Sequence, residues 1–378
     1  TIKDNIALLT PDILNQINCL VVNAGHQLLQ IENEPLAGRC DSFVLVTDVH
    51  FPTDINLLFD AVRCAIRDTA KCCEAFGLTD WRQSKYNIKK IKKEYLRLQR
   101  TKHSTSKNEV KKQKKKQEIK EMHQDYIALC HYFIVKVEET LPKLEKLVFY
   151  RDQLTLITNW IMHAKRQITQ IERRVIDGMT IPHSEKVFSI FEPHTEWISK
   201  GKAGVPVELG IKVCILESQA GFILNHQVMQ KQNDVDIAVD IIRKTKALHP
   251  TLSSCSFDKG FHSVANQKQL AQALEFCVMP KKGKRNKVEN ERESSAEFKQ
   301  HKRKHSAVES AINALEIHGL GRCPDKGLEG FEKYVSLAVV ARNLQKIGAE
   351  LQKRALDKER RKNRRKRRLR QQQLQQAA

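Results

Sequence analysis

Acidic residues at three well-separated positions are candidates for binding divalent metal ions. Asp258, in the segment SSCSFDKGFHS, follows an apolar run that predicts a buried strand, and ligands of α/β proteins collect at the carboxyl ends of such strands. Glu309 lies on a predicted helix at the edge of an apolar stripe. Carboxylates that converge from separate elements can hold two Mg²⁺ ions about 3.5–4 Å apart, which suits phosphoryl transfer. The alternatives without chemistry are a turn Asp and a solvated helix Glu.

A third ligand, on the first predicted strand at 42–50, can be either Asp41 or Asp48. Asp41 opens this strand and Asp48 lies near its end. The two are seven positions apart, an odd number, so they face opposite sides of an unbroken strand and only one can point into a common site. The residues alone leave both possible, whereas Asp54 is better explained as the cap of the following helix.

Basic side chains near the candidate acids could contact phosphates. On the predicted helix of Glu309, a histidine and a lysine lie one and two turns earlier, and a basic loop, KKGKRNK, precedes that helix. The possible DNA contacts are Lys259, Lys281, Lys282, Lys302 and His305. His262 is interpreted as a surface or capping residue, and the basic loop at 201–204 is weak evidence for a phosphate cradle.

The overall charge indicates a polyanionic partner. The chain has 66 Lys and Arg against 44 Asp and Glu, a formal net charge of +22. Such an excess opposes a compact fold unless a polyanion neutralises it, and nucleic acid is the commonest such partner. The cations concentrate at 89–116, 281–287 and 353–370. The last segment can follow a DNA backbone by releasing counterions, with a disordered solvated tail as the alternative, and the Gln-rich end predicts disorder.

Composition argues against two other classes of protein. No stretch reaches the roughly 18–20 apolar residues that a membrane helix needs, and the start of the chain has no signal-peptide pattern. The ten cysteines are scattered without a C-x-x-C pair, which argues against a zinc site and indicates reduced, part-buried thiols. We therefore expect a cytoplasmic protein without a membrane partner.

Periodicity predicts an α/β domain that is interrupted by helices. After a helix at 11–29 and the strand at 42–50, nearly everything to residue 178 is helical, with amphipathic stretches at 126–149 and 154–175 that predict a hairpin or short coiled coil. The later predicted elements are strands at 186–191, 207–216 and 222–229, a helix at 235–247, a strand at 252–257, a helix at 266–274, a strand at 275–279, and helices at 295–318 and 330–351.

With the helical stretch removed, this order is similar to that of an RNase H-like fold. We therefore predict the α/β class: a mixed sheet forming an RNase H-like core, with a long α-helical insertion after the first strand. The predicted domains are an N-terminal helix and linker at 1–40, a catalytic core at 41–54 and 180–320, the helical insertion at 55–179, a C-terminal helix at 321–352, and a basic and Gln-rich tail at 353–378.

Five segments of the sequence resemble the DDE transposases of bacterial insertion sequences, and most closely the ISNCY-like group. The segments are RCDSFVLVTDVHFPTDINLLFDAVR, FSIFEPHTEWISKGKAGVPVELGIKV, SFDKGFHS, KHSAVESAINALEIHGL and YVSLAVVARNLQKIG. The resemblance runs from about Asp4 to Gly348. It implies an RNase H-like core, two Mg²⁺ ions for which Mn²⁺ can substitute, cutting at transposon ends, and strand transfer into target DNA. It also implies a bacterial, nucleoid-associated protein that acts as a dimer or higher oligomer on DNA.

The resemblance also assigns the three acids. The first is the Asp of an Asp-Ser pair, which is Asp41; the second is the Asp of Asp-x-Gly-Phe, which is Asp258; the third is Glu309. The sequence departs from the family around that glutamate, where the partner positions hold Lys302, His305 and Glu316, so those roles are not transferred. The family's helix-turn-helix for binding transposon ends would lie upstream of the first residue.

Two other functions remain open at this point. A non-catalytic DNA-binding protein derived from a transposase would bind DNA in a salt-sensitive manner without metal-dependent cutting. An RNase H-like nuclease would cut without joining.

Overall fold

The polypeptide folds into two compact units. The computed structural model describes residues 2–101, 105, 107–146, 151–199 and 206–376. The sheet unit comprises Thr1–Asp48 and His194–Ala378, and the helical unit comprises Val49–Pro193. The helical unit contains the predicted insertion 55–179 and extends beyond it at both ends. In the described ranges, no helix has the combination of length and apolar composition that a bilayer crossing requires.

The sheet unit contains a mixed sheet, so the chain belongs to the α/β class. Its strands are β1 (Leu36–Thr47), β2 (Glu196–Ser199), β3 (Val207–Ser218), β4 (Ile223–Met229), β5 (Leu252–Phe257), β6 (Phe276–Val278) and β7 (Arg322–Cys323). The order along the sheet is β2-β3-β1-β5-β6, with β4 also paired to β3 and β7 also paired to β1. Strand β3 is antiparallel to β1, β2 and β4, whereas β5 and β7 are parallel to β1, and β6 is parallel to β5.

Two of the predicted strands were placed wrongly. Strand β1 begins at Leu36 rather than at residue 42, because Leu36 to Cys40 pair with β5. The predicted linker at 1–40 therefore contains the first part of the central strand. Residues 186–191 form no strand: the side chain of Ser189 accepts hydrogen bonds from the backbone N–H groups of Phe191 and Glu192, at 3.2 and 3.0 Å, which closes a turn.

Helices account for most of the remaining described chain. They are α1 (Ile2–Ala7), α2 (Pro11–Leu29), α3 (Asp54–Ala75), α4 (Ser84–Arg100), α5 (Glu109–Glu145), α6 (Arg151–Ile171), α7 (Asp234–Leu248), α8 (Val264–Ala273), α9 (Lys287–Ser294), α10 (Ala296–His305), α11 (Ala307–Leu315) and α12 (Gly327–Gln376). Helices α3 to α6 lie in the helical unit.

The helices around Glu309 differ from the single helix predicted at 295–318. Ser306 separates α10 from α11, and α11 ends in a π-helical turn, Glu316–Leu320. Helix α9 begins within the predicted basic loop, because the side chains of Asn286 and Glu289 each accept a hydrogen bond from the other's backbone N–H.

The last helix is much longer than predicted. Helix α12 includes the predicted helix at 330–351 and continues to Gln376, so the prediction of a disordered Gln-rich end was wrong. Lys, Arg, Gln and Leu all favour helix, and the sequence contains no Gly or Pro after Gly348 to interrupt it.

Different helices cover the two faces of the sheet. On one face, Cys40 of β1 belongs to a buried cluster with residues of α2, α7 and α8. On the other face, Phe43 and Leu45 of β1 pack against α11 and α12. Because side chains alternate along a strand, Asp41 lies on the same face as Phe43, the face that α11 covers.

The helical unit is built around one core that all four of its long helices share. The predicted amphipathic stretches correspond to α6 and to the second half of α5, with residues 147–149 outside the described ones. Both helices also pack against α3, so the expected hairpin is part of a larger helical bundle.

The cap of α3 differs from the one predicted. Thr53, whose backbone is extended, caps the helix by accepting a hydrogen bond from the backbone N–H of Asn56 at 3.3 Å. Asp54 is the first helical residue and forms an ion pair with Arg174, with 2.8 Å between Oδ2 and Nε.

Candidate active site

The parallel strands β1 and β5 bring two of the candidate acids next to each other. The last paired residues of these strands are Cys40 and Phe257. One step further along both strands, Asp41 and Asp258 are neighbours, and their side chains leave the sheet on the same face. Adjacent strands are about 4.8 Å apart, which is close enough for two carboxylates to share a ligand.

Helix α11 positions the third acid over the same face. Val308, Ala311 and Leu315 are buried against the sheet, as the predicted apolar stripe requires. Glu309 follows the first of these residues, so its side chain lies at the exposed edge of the helix. This placement leaves the carboxylate free to turn toward the ends of the strands.

The electrostatics of Asp41 indicate that these carboxylates interact. Burial raises the pKa of Asp41 to about 6 from its usual value of 3.8, although a hydrogen bond from the backbone N–H of Ser42, at 2.7 Å, opposes the shift. The negative charges of Asp258, Asp234 and Glu309 raise the pKa of Asp41 further. Two of these residues, Asp258 and Glu309, are more than two hundred positions from Asp41 in the sequence and yet raise the pKa of its carboxyl group.

The competing candidate on the first strand lies elsewhere. Asp48 follows the other end of β1, is exposed, and forms an ion pair with Arg322 at 3.1 Å. At about 3.3 Å per residue, seven residues of extended strand place it roughly 23 Å from Asp41. The structure brings Asp41 and not Asp48 to Asp258.

The three carboxylates suit a divalent cation in chemical type. Asp, Asp and Glu supply hard oxygen ligands of the kind that Mg²⁺ binds, and they come from strand β1, the end of strand β5 and helix α11. In the part of the chain that the structure describes, no three acidic, histidine or cysteine side chains are already arranged as a formed metal site. All ten cysteines are free thiols, and eight of them are buried.

His305 lies beside the acids but in its neutral form. Its Nδ1 is 3.0 Å from the hydroxyl of Ser256, which lies on the same face of β5 as Asp258. Burial lowers the pKa of His305, and Arg39 lowers it further, whereas Asp258 and Glu309 oppose the shift. His305 is therefore suited to a hydrogen bond with a phosphate rather than to a charge interaction.

The other predicted DNA contacts differ in their exposure and in whether they form an ion pair within the protein. Lys259, Lys282 and Lys302 are exposed. The Nζ atom of Lys281, in contrast, lies 2.8 and 2.7 Å from the two carboxylate oxygens of Glu289, so its charge is already neutralised. His262 is partly buried, and the loop at 201–204 lies outside the described residues.

Sequence reasoning missed Asp234, the first residue of α7. Its Oδ1 accepts a hydrogen bond from the hydroxyl of Ser42 at 2.7 Å, and its Oδ2 is 3.7 Å from Nζ of Lys212. The only local signal was a helix start, Asn-Asp-Val-Asp, which also forms a capping box. Contact with β1 could not be read from that pattern.

A second feature that sequence reasoning missed is a buried ion pair next to Asp41. Arg39 and Glu217 are directly paired across β1 and β3, with 3.0 Å between Nη1 and Oε2. Arg39 lies on the same face of β1 as Asp41, so this pair forms one wall of the site.

Comparison with known proteins returned no relative. No family model matches the chain, and no curated protein or solved structure matches it either. No family is therefore shown for this protein.

Proposed function

We propose that this chain is a DDE-type transposase: a metal-dependent enzyme that cuts DNA phosphodiesters at transposon ends and joins the freed strands to target DNA. One observation carries the proposal. The parallel register of β1 and β5 makes Asp41 and Asp258 neighbours, and the negative charge of Glu309 raises the pKa of Asp41. The influence of Asp258 and Glu309 on the pKa of Asp41 supports a common site for these three acids.

The arrangement of strands supports an RNase H-like core. With the helical unit removed, β1 is followed by the short strand β2, the antiparallel strands β3 and β4, and then by helix α7, strand β5, helix α8 and strand β6. Strands β5 and β6 continue the sheet in parallel on the other side of β1. This is the order of elements that the sequence predicts for that fold, and it leaves the helical unit as an insertion after the first strand.

In the proposed site, Asp41, Asp258 and Glu309 hold Mg²⁺, for which Mn²⁺ can substitute. Bound Mg²⁺ would supply positive charge and Lewis acidity to the phosphodiester. Asp41 is the residue most dependent on that charge, because burial and three negative neighbours oppose its ionisation. Neutral His305, held by Ser256, can donate a hydrogen bond to a phosphate oxygen without adding a charge.

The end of α12 supports DNA as the partner. Between residues 353 and 368 the chain has eleven Lys and Arg and two acidic residues, and nearly all of these positions are exposed. Like charges one helical turn apart repel each other, so this segment gains stability from a polyanion that releases counterions on binding.

Nicking of supercoiled plasmid DNA in Mg²⁺ or Mn²⁺ tests the proposal. We expect Asp41→Asn, Asp258→Asn and Glu309→Gln to reduce the rate by roughly 10³-fold, because each removes several kcal/mol of metal-mediated stabilisation. DNA binding, measured by fluorescence anisotropy, should remain. Asp48→Asn is the matched control, because it makes the same change on an exposed residue at the far end of the same strand.

Three outcomes would contradict the proposal in different ways. Cutting by Asp258→Asn at the rate of the unchanged protein would remove Asp258 from the site. DNA binding without any metal-dependent cutting by the unchanged protein would indicate a non-catalytic DNA-binding protein. Cutting without joining of pre-cut 3′ ends would indicate a nuclease.

A further inference from the structure

Asp234 contacts the central strand on the side opposite to the three candidate acids. Its Oδ1 accepts a hydrogen bond from the hydroxyl of Ser42 at 2.7 Å. The backbone N–H of Ser42 in turn donates a hydrogen bond to Oδ1 of Asp41, also at 2.7 Å. A continuous path therefore leads from Asp234 through Ser42 to Asp41.

The same carboxylate lies close to the turn that follows Asp258. A methyl group on Gly260 would lie 2.8 Å from Oδ2 of Asp234, so this turn comes close to the carboxylate only because residue 260 has no side chain. The backbone of Gly260 does not have a positive φ, so alanine is compatible with the local conformation. The close approach, and not the backbone angle, therefore explains the glycine.

Asn266, in the first turn of α8, ties the two segments together independently. Its buried side-chain amide donates hydrogen bonds to the backbone oxygen of Val235, at 2.7 Å, and to that of Phe261, at 3.0 Å. The start of α7 is thus fastened to the turn after Asp258 by a second set of contacts. Asp234 directly precedes Val235 and connects the same start of α7 to Ser42 of β1.

Both oxygens of Asp234 are engaged within the protein. Oδ1 binds Ser42, while Oδ2 faces Gly260 and lies 3.7 Å from Nζ of Lys212. A carboxylate held in this way is suited to fixing neighbouring groups, not to binding a cation that arrives on the other face of the sheet.

We infer that Asp234 is a positioning residue: by accepting a hydrogen bond from Ser42 and packing against the turn at Gly260, it sets the separation between Asp41 and Asp258. The inference rests on the proposed function only where it concerns catalysis. The physical link between β1 and the turn exists whether or not the protein cuts DNA.

Four variants test the link. Asp234→Ala removes both contacts, whereas Asp234→Asn keeps an oxygen that can accept from Ser42. Gly260→Ala leaves Asp234 intact but pushes its carboxylate out of place. In the double variant Asp234→Ala/Gly260→Ala, the new methyl group at residue 260 no longer meets a carboxylate at residue 234. Matched controls are Asp240→Ala, a partly exposed Asp on the same helix that forms an ion pair with Lys244, and Gly348→Ala, where a new methyl group meets open space.

Hydrogen exchange of the peptides covering residues 41–44 and 258–262 gives a readout that needs no activity. We expect faster exchange in both peptides for Asp234→Ala and for Gly260→Ala, no further increase in the double variant, and little change for Asp234→Asn and the two controls. Unchanged exchange in Asp234→Ala, or additive effects in the double variant, would overturn the inference even if the protein cuts DNA.

Cleavage kinetics supply the second readout. Loss of groups that orient metal-binding carboxylates typically costs 10–100-fold in metal affinity or activity, so we expect kcat for plasmid nicking to fall by about tenfold or more in Asp234→Ala. KM for DNA should stay constant, and Asp234→Asn should recover most of the rate. If kcat and KM are both unchanged in Asp234→Ala, the residue does not position the site. If the unchanged protein does not cut DNA, the proposed function fails while the exchange data still decide on the link.

Discussion

Replacing Asp41 by Asn should stabilise the metal-free protein above about pH 4, with the full effect reached above about pH 6. Burial and neighbouring carboxylates raise the pKa of Asp41 to about 6 from 3.8, so the folded protein favours the protonated form. Below the pKa of Asp41 in the unfolded chain, the raised pKa does not affect the free energy of unfolding. As the pH rises from that pKa to the higher pKa in the folded protein, stability is lost, because the folded protein disfavours the ionised carboxylate. Asn cannot ionise, so the variant escapes that loss.

The size of the effect follows from the two pKa values. One pKa unit corresponds to about 1.4 kcal/mol, so the ionised carboxylate costs the fold about 3 kcal/mol at pH 8 and about 0.5 kcal/mol at pH 4. Because the side chain of Asp41 is partly exposed, solvent screening reduces the expected gain at pH 8 to roughly 2 kcal/mol. The difference between the two pH values is the quantity to measure.

Urea unfolding in EDTA at pH 4 and pH 8 gives that difference. Trp197 in β2 reports on the sheet unit, so its fluorescence is followed in a background where Trp81 and Trp160 are replaced by Phe. Asp48→Asn in the same background controls for loss of a negative charge. Equal effects of Asp41→Asn at both pH values, or destabilisation at pH 8, would refute the reasoning.

Three further predictions concern ligands and pH. Mg²⁺ should raise the melting temperature of the unchanged protein more than that of Asp41→Asn, because a ligand that binds only the folded state stabilises it; equal shifts in a thermal scan would argue against a cation at this residue. Deletion of residues 353–376 should weaken DNA binding and make the affinity less sensitive to salt. The logarithm of the binding constant falls against the logarithm of the salt concentration with a slope of about 0.9 per neutralised phosphate, so fewer phosphate contacts give a smaller slope. Anisotropy titrations at several salt concentrations measure this slope, and an unchanged slope would show that the deleted segment does not contact DNA. Burial, and to a lesser extent His26, lowers the pKa of His249 to about 4. Between about pH 6.5 and pH 4, His249 is therefore protonated in the unfolded chain but remains neutral in the folded protein. Stability should therefore fall as pH falls from 6.5 to 4, by up to about 3 kcal/mol, and His249→Gln should reduce that fall in urea midpoints.

Short-range sequence patterns were sufficient to predict the limits of some helices and strands. Strand β5 and helix α2 have the limits that the sequence predicts, because an apolar run between turn residues and a capped amphipathic helix are both short-range signals. The start of β1 was missed because Arg39 and Gly38 interrupt its apolar pattern. Arg39 is tolerated there only because Glu217 lies opposite it on β3, a partner 178 positions away.

The candidate site shows the same division. The predicted strand end and the apolar helix stripe named Asp258 and Glu309 as candidates, although the residues alone also allowed a turn Asp and a solvated helix Glu. The choice between Asp41 and Asp48 required the register of β1 against β5, which is a tertiary property: Asp41 lies within β1, directly after the residue that pairs with Phe257, whereas Asp48 follows the end of β1. Asp234 could not be found from sequence, because a helix-capping pattern does not reveal which strand the helix start touches.

The energetics of Asp41 connect the fold to the proposed chemistry. A side chain that served only the fold would be more stable uncharged at this position, by about 2–3 kcal/mol at neutral pH. The nearby pair of Arg39 and Glu217 does not relieve this, because the arginine is already committed to the glutamate. Positive charge from outside the chain would relieve it, and the proposed divalent cation beside Asp258 would provide that charge. A cation that failed to stabilise the protein through Asp41 would leave this carboxylate without a role and the enzymatic proposal without its foundation.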